Sequence, residues 1–264
     1  NNGWLKELFD FMKLDPIYRK DRYNQLVFSM IYNYSEKFIL ALPKDAFADY
    51  GYSMLNMMPG SDEEKFASVK AALGYTFLHP GKKLISDSVC NMDDNNKLNN
   101  YVKELNNLYR SNPELHELDY DPDGFEWINN FSANETVVIF CRKSSEGGHL
   151  IAAVNFTPVV RKNYKIGVPY AGKCREIFNS DSLQFDGEGN VNPDIIRSVE
   201  SECDGRDNSV RITLPPMGIA VFRCTPYTEN ELIEIENARK EKEARQKREE
   251  ARKLIEEAKR LERE

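Results

Sequence analysis

Histidine and cysteine are sparse in this sequence, and neither is grouped. The three histidines, His79, His116 and His149, stand far apart, and none has a Cys or another His nearby. Zinc-site spacing is therefore missing, and each histidine reads as a structural or surface side chain. The five cysteines, Cys90, Cys141, Cys174, Cys203 and Cys224, never form C-x-x-C. Scattered and odd in number, they are expected as reduced thiols and not as a disulfide framework. There is no unbroken apolar run of about eighteen residues, which excludes a helical membrane span, and no secretory signal opens the chain. A basic excess is missing too. Lys+Arg 36 against Asp+Glu 43 leaves a net charge of −7, which argues against a nucleic-acid partner, because neutralising phosphates requires a basic surface. These absences point to a soluble, acidic, cytoplasmic protein with no membrane and no nucleic-acid partner. Its 264 residues suit one large domain or two ordinary ones, and a first residue Asn1 in place of Met suggests a piece of something longer.

What is present falls into three segments. Residues 1–112 mix helical periodicity with one short apolar strand. Trp4, Leu5, Leu8, Phe9 and Met12 share one helix face over residues 4–13, and further helices are expected at 22–33, 63–77 and 97–109. The run KFILAL at 37–42, closed by Pro43, suits a buried parallel strand. From 113 to 227 the period changes to two. Strands are expected at 125–131, 136–143, 149–157, 162–168, 173–179, 210–214 and 218–224, with turn residues between them, so this segment reads as an antiparallel β-sandwich. Residues 228–264 form a long charged helix, opened by a Thr228/Glu231 capping box and laced with Glu-to-Lys/Arg pairs at i, i+4. Its apolar spacing lapses between Arg239 and Glu250. A solvated single helix docking by its first turn is favoured over a coiled coil, with a partner contact left open at 251–261.

Generic catalytic motifs are absent: there is no G-x-S-x-G, Walker A, H-E-x-x-H or dinucleotide fingerprint. The stretch DGEGNVNPD at 186–194 alternates oxygen-bearing groups but lacks the spacing and closing Glu of an EF-hand, so a polar inter-strand loop is favoured over a calcium site. No cofactor or metal is expected.

A chain of ordered blocks is more specific. These are NGW at 2–4, DPIYRK at 15–20, MPG at 58–60, KFA at 65–67, LGY at 73–75, HPGKKL at 79–84, LNNLYR at 105–110, LHELDYDPDGFEWI at 115–128, NFTP at 155–158, YKIGVP at 164–169 and LPP at 214–216. In these blocks, over about residues 1–225, the chain resembles the C-terminal part of bacterial-type 1,4-α-glucan (glycogen) branching enzymes of the α-amylase superfamily. The resemblance implies the remnant of the last part of a (β/α)₈ barrel (1–112), then the all-β C-terminal domain (113–227), with the helix (228–264) outside the likeness. A complete barrel takes about 250 residues. The first segment would therefore need a partner chain supplying the missing strands, or it has been remodelled into a smaller unit.

The family breaks an α-1,4 bond by retaining double displacement and passes the glucan to a 6-hydroxyl. That chemistry needs a nucleophilic carboxylate and a second one as acid/base. By resemblance both belong to barrel strands upstream of Asn1. The third family acid, a transition-state stabiliser after strand seven, corresponds to Asp45. Its surroundings depart from the family: Ser-His-Asp-Glu becomes Pro43, Lys44, Asp45 and Ala46, a Gly-Lys-Gly stretch becomes Tyr50, Gly51 and Tyr52, and the strand-eight motif gives way to a shorter 85–94. Two readings stand for Asp45, a vestigial surface carboxylate, which the altered neighbours favour, and a working catalytic residue. Tyr50, Tyr52 and Trp4 are candidates for stacking on α-glucan rings. Three roles follow: the C-terminal portion of a branching enzyme, inactive as this chain alone; a non-catalytic pseudoenzyme scaffold or regulator using the terminal helix to bind a partner; or a glucan-binding module.

Overall fold

Strand β2 (Val137–Lys143) is a nearly continuous apolar run because both of its faces are covered. Val138 and Phe140 point into a core shared with helices, while Val137, Ile139 and Cys141 point into a second core between two sheets. This computed structural model describes residues 3–35, 59–81, 83 and 97–261. Among the described residues nine strands follow in chain order: β1 (Phe125–Asn129), β2, β3 (His149–Asn155), β4 (Arg161–Val168), β5 (Gly172–Asn179), β6 (Ile196–Arg197), β7 (Val199–Cys203), β8 (Arg206–Leu214) and β9 (Gly218–Pro226). They form a six-stranded sheet in the order β1-β2-β3-β9-β5-β6 and a three-stranded sheet β4-β8-β7. The pairs β1–β2, β2–β3, β3–β9 and β4–β8 are antiparallel. The chain thus contains the expected antiparallel sandwich, followed by the long C-terminal helix.

Register places the apolar sets face to face. In the β2–β3–β9 ladder Ile139 lies opposite Ala153, and Ala153 opposite Ala220. Those residues meet Ile166, Val168, Val210 and Ile212 of the second sheet. The opposite face of the large sheet (Phe140, Leu150, Ala152, Val154, Ile219 and Val221) packs on four helices: α1 (Gly3–Met12), α2 (Arg19–Ser35), α3 (Asp62–Leu78) and α4 (Lys97–Ser111). Helix α3 opens with a charged, exposed turn, but every residue from Ser68 to Leu78 is buried, so its second part is enclosed on all sides. A capping box starts it: Ser61 N donates to Glu64 Oε2 (2.7 Å) and Glu64 N to Ser61 Oγ (3.3 Å). Gly74 lets α3 approach the sheet, because a Cβ there would lie 2.5 Å from Ile219 Cδ1 and 2.7 Å from the Tyr101 hydroxyl.

Three findings differ from the sequence reading. Cys174 and Cys224 form a disulfide where reduced thiols were expected, while Cys141 and Cys203 are free. The pairing joins neighbouring strands, so it arises from sheet order and not from any sequence spacing. Strands β6 and β7 are additional: two residues are too few to show a period, and β7 is mostly exposed. The turn residues ahead of the strand expected at 210–214 contract to Asp204 and Gly205, both at positive φ (54° and 71°), with Cys203 paired to Arg206. Positive φ at both central residues is the geometry of a two-residue hairpin. The expected strand at 37–42 lies outside the described residues.

Residues Asn1–Thr225 make one unit and Pro226–Glu264 another. The second is α5 (Glu229–Leu261), about 50 Å long at 1.5 Å per residue. Its capping box is formed: Thr228 N donates to Glu231 Oε2 (3.0 Å) and Glu231 N to Thr228 Oγ1 (3.4 Å). Pairs Glu236–Lys240 (2.7 Å) and Glu249–Lys253 (3.7 Å) lie along it, and Leu232, Ile233 and Ile235 are exposed. No helix among the described residues is long and apolar enough to cross a membrane.

Candidate functional site

Asp45, Tyr50 and Tyr52 lie outside the described residues. Trp4 sits in the first turn of α1. The blocks at 15–20, 65–67, 73–75, 155–158 and 214–216 border the joint between helices and sandwich, and three buried cations hold that joint. None of these was singled out from the sequence.

Arg19, in the DPIYRK block, opens α2 and is fully buried. Its Nη1 donates to Phe156 O (2.6 Å) in the NFTP block, Nη2 to Met12 O (3.1 Å) and Nε to Leu14 O (3.2 Å). Burial lowers its pKa to about 10, against the opposing pull of Asp15, so it stays charged at neutral pH. Lys70 of α3 donates to Phe185 O (2.8 Å) and Ser180 O (3.2 Å), fastening the helix to the loop between β5 and β6. Arg142 of β2 donates to Leu78 O (2.8 Å), Leu115 O (3.2 Å) and Gly124 O (3.4 Å), and pairs with Asp119 at 2.5 Å. The last-turn carbonyl of α3, which no intrahelical N–H can reach, is thereby satisfied. A cation within the apolar run of β2 was the one sequence signal for this role: a buried strand tolerates a guanidinium only where carbonyls and a carboxylate surround it.

The histidines are structural. His79, capping α3, donates from Nδ1 to Pro80 O (2.8 Å). Burial, with the Lys83 charge adding to it, lowers its pKa to about 3, so it is neutral at physiological pH. His116 packs on the Tyr109 ring and His149 on the Tyr170 ring. In the NFTP block Asn155 Nδ2 donates to Val159 O (2.8 Å) and Pro215 O (2.9 Å), linking this turn to LPP at 214–216. Phe125 and Trp127 pack against each other at 5.0 Å and join the helix-side core, as their period-two spacing implies.

A groove of about 1070 Å³ opens where these blocks meet. Its walls are the 15–19 turn, the first turns of α3, residues 157–161 and the 181–188 loop, with Asp15, Glu64, Arg161, Asp181 and Glu188 among its lining groups. Several of these carboxylates already hold backbone in place. Asp181 accepts from Glu188 N (3.1 Å) and Asn190 N (2.9 Å), Asp15 accepts from Ile17 N (3.0 Å), and Glu64 caps α3. The 186–194 stretch weighed for calcium is thus wound around the Asp181 carboxylate. The groove is a fixed, acid-rich depression bordered by Arg161, with Arg19 and Lys70 committed beneath it.

Comparison with known proteins agrees with the sandwich. Residues 127–225 match the family of α-amylase C-terminal all-β domains. The 1,4-α-glucan branching enzyme GlgB of Oceanobacillus iheyensis is 37% identical over 258 residues, covering 90% of this chain and 39% of that protein. GlgB of Geobacillus stearothermophilus is 38% identical over 242 residues, covering 84% and 38%. A solved α-amylase from H. orenii aligns over 76% of this chain and 48% of its own at 17% identity and a TM-score of 0.40, too distant to argue from. The chain spans about two fifths of the length of the curated relatives it matches.

Proposed function

Because the chain corresponds to the C-terminal part of the 1,4-α-glucan branching enzymes, with the α-amylase all-β domain at residues 127–225, we propose that it serves glycogen synthesis as the C-terminal portion of such an enzyme. What supports this is the continuity of the likeness. It covers 90% of the chain, and helices and sandwich share one core. The buried cations Arg19, Lys70 and Arg142 bond between helices and sandwich beside that core, so the sandwich and the helical segment act as one body.

The reaction requires two carboxylates on opposite sides of an α-1,4 bond, one forming a glycosyl-enzyme and one protonating the leaving oxygen. By the resemblance, these lie outside the 264 residues. Asp45 is the residue left in a catalytic position, and a lone carboxylate without the nucleophile lends only electrostatic support. The chain by itself therefore does not branch glucan. Tyr50, Tyr52 and Trp4 are its glucan-contact residues, and the barrel strands come from upstream sequence or a partner chain. A second reading, a non-catalytic scaffold, rests on Lys44 and Ala46 standing where the family carries His and Glu.

The test is to incubate the purified chain with linear amylose, debranch with isoamylase and count released chain ends, beside Asp45→Asn. No new branches is the expected result. Branch points abolished by Asp45→Asn would show that the chain has recruited other carboxylates, and would overturn the reading of inactivity. Co-purification with a chain bearing the upstream barrel supports the enzyme-portion role; a stable monomer without glucan affinity favours the scaffold.

A further inference from the structure

Glucan transfer has no use for a sulfur pair, yet two cysteines of the sandwich stand bonded. Cys174 in β5 and Cys224 in β9 belong to neighbouring strands, with Cα atoms 4.1 Å apart, and form a disulfide. We propose that this pair is a reversible thiol–disulfide site, exchanging with small thiols and disulfides, that fastens the outer strands β5 and β6 to the inner strands of the large sheet.

Position decides what the bond does. In the order β3-β9-β5-β6, strand β9 is the last one tied into the long antiparallel ladder, and β5 and β6 join the sheet through the β9–β5 junction. The loop that leaves β5 contains Ser180 and Phe185, the acceptors of Lys70, and Asp181, which organises the groove wall. An oxidised pair therefore holds one wall of the groove to the core. A reduced pair leaves that wall attached by strand pairing, the Lys70 contacts, the packing of Phe178 and Phe185 in the helix-side core and the Asn192–Thr213 bonds.

Position also supplies access. The residues are 2% and 5% exposed, so a thiol cannot reach either sulfur without local opening. On its outer side Cys174 is covered by β6, a strand of two residues, with Ile196 directly opposite it. So short an edge strand opens at far lower free energy than the ladder behind it. On the other flank Cys224 pairs with His149, the first residue of β3. The Tyr170 hydroxyl donates to Cys224 O (2.6 Å), holding that cysteine in place while Cys174 moves. Among the described residues the two free thiols are not alternatives by geometry, since Cys141 is buried in β2 and Cys203 lies in the three-stranded sheet.

The chemistry balances as ordinary exchange. A glutathione thiolate attacks one sulfur, the cysteine S–S bond breaks, and the other cysteine leaves as a thiolate and takes a proton. A second glutathione attacks the mixed disulfide, giving two protein thiols and one oxidised glutathione, a two-electron reduction. Oxidised glutathione drives the reverse.

The full chain is equilibrated in buffers rich in oxidised or in reduced glutathione, quenched in acid, alkylated after denaturation and mapped by peptide mass. The expected result is a Cys174–Cys224 link in the oxidised buffer, with Cys141 and Cys203 alkylated, and alkyl groups on all cysteines in the reduced one. The thermal midpoint of the oxidised chain should be higher by about 5–15 °C. The paired Cys174→Ser and Cys224→Ser variant should show no redox-dependent shift. Alkylation of both residues in the oxidised buffer would overturn the proposal, as would a link to any other cysteine, a bond that persists in the reduced buffer, or a double variant that still shifts. If that variant fails to fold, the peptide map of the unaltered chain decides alone.

Discussion

Taking a guanidinium out of water costs several kcal/mol, and Arg142 is fully buried. Three backbone carbonyls and the Asp119 carboxylate offset that cost, and they come from four places in the chain: the end of α3, Leu115, Gly124 and residue 119 itself. Arg142→Met should therefore lose about 3–5 kcal/mol, because it strands a buried carboxylate. Adding Asp119→Leu should recover part of the loss, as no charge is then left buried. Urea midpoints of the two variants measure this, and a double variant no better than the single would show that the carbonyls matter more than the charge. His79 gives the matching pH prediction. Its folded pKa of about 3 lies below the ordinary 6.5, so between those values the unfolded chain binds the extra proton. Stability should be level in this respect above about pH 6.5 and fall as the pH drops toward 3. His79→Gln should flatten that acid limb in a denaturation series; an unchanged limb would mean that other groups set it.

At the scale of elements, two glycines separate conformational from steric cost. Gly205 sits at φ +71° with nothing within 4 Å of an added Cβ. Gly205→Ala should cost about 1 kcal/mol from backbone conformation alone. Gly74 has an ordinary helical conformation but no room, since its added Cβ meets Ile219 and Tyr101 below 3.0 Å. Gly74→Ala should cost roughly 1–3 kcal/mol, or more if the helix cannot shift. Chemical denaturation that ranks Gly205→Ala as the costlier change would refute the tight α3–β9 contact. These cases also show what the sequence can convey. The central strands are legible because each buries alternate residues in one of two cores, and α4 because Leu98, Val102 and Leu105 form one face. Strands β6 and β7 are not, because β6 is only two residues long and β7 is largely exposed, so both become strand only through pairing with β5 and β8. The Asp204–Gly205 turn carried its own signal in the Asp-Gly pair. The joint cations carried almost none, since a buried Arg is defined by carbonyls distant in sequence. Of the candidate site, Asp45, Tyr50 and Tyr52 rest on the family resemblance, and periodicity adds nothing to them.

For residues 1–225 as a body, the decisive feature is that the large sheet is buried on both faces. The face toward the small sheet would survive in an isolated sandwich. The face carrying Val138, Phe140, Leu150, Ala152, Val154, Ile219 and Val221 is covered by the helices. Each of the larger side chains is worth about 1.5–3 kcal/mol when fully buried, so stripping the helices removes more than a typical domain stability of about 5–15 kcal/mol can absorb. Arg142 would also lose its Leu78 acceptor. A chain cut to residues 113–225 should therefore aggregate, or bind the hydrophobic dye ANS and melt without a cooperative transition. The chain retaining 1–112 should melt as one unit over these segments. Scanning calorimetry with dye binding on both chains distinguishes the outcomes. A soluble, dye-negative 113–225 with a sharp transition would mean that the sandwich is self-sufficient, and the shared core would then be a docking surface and not a condition of folding.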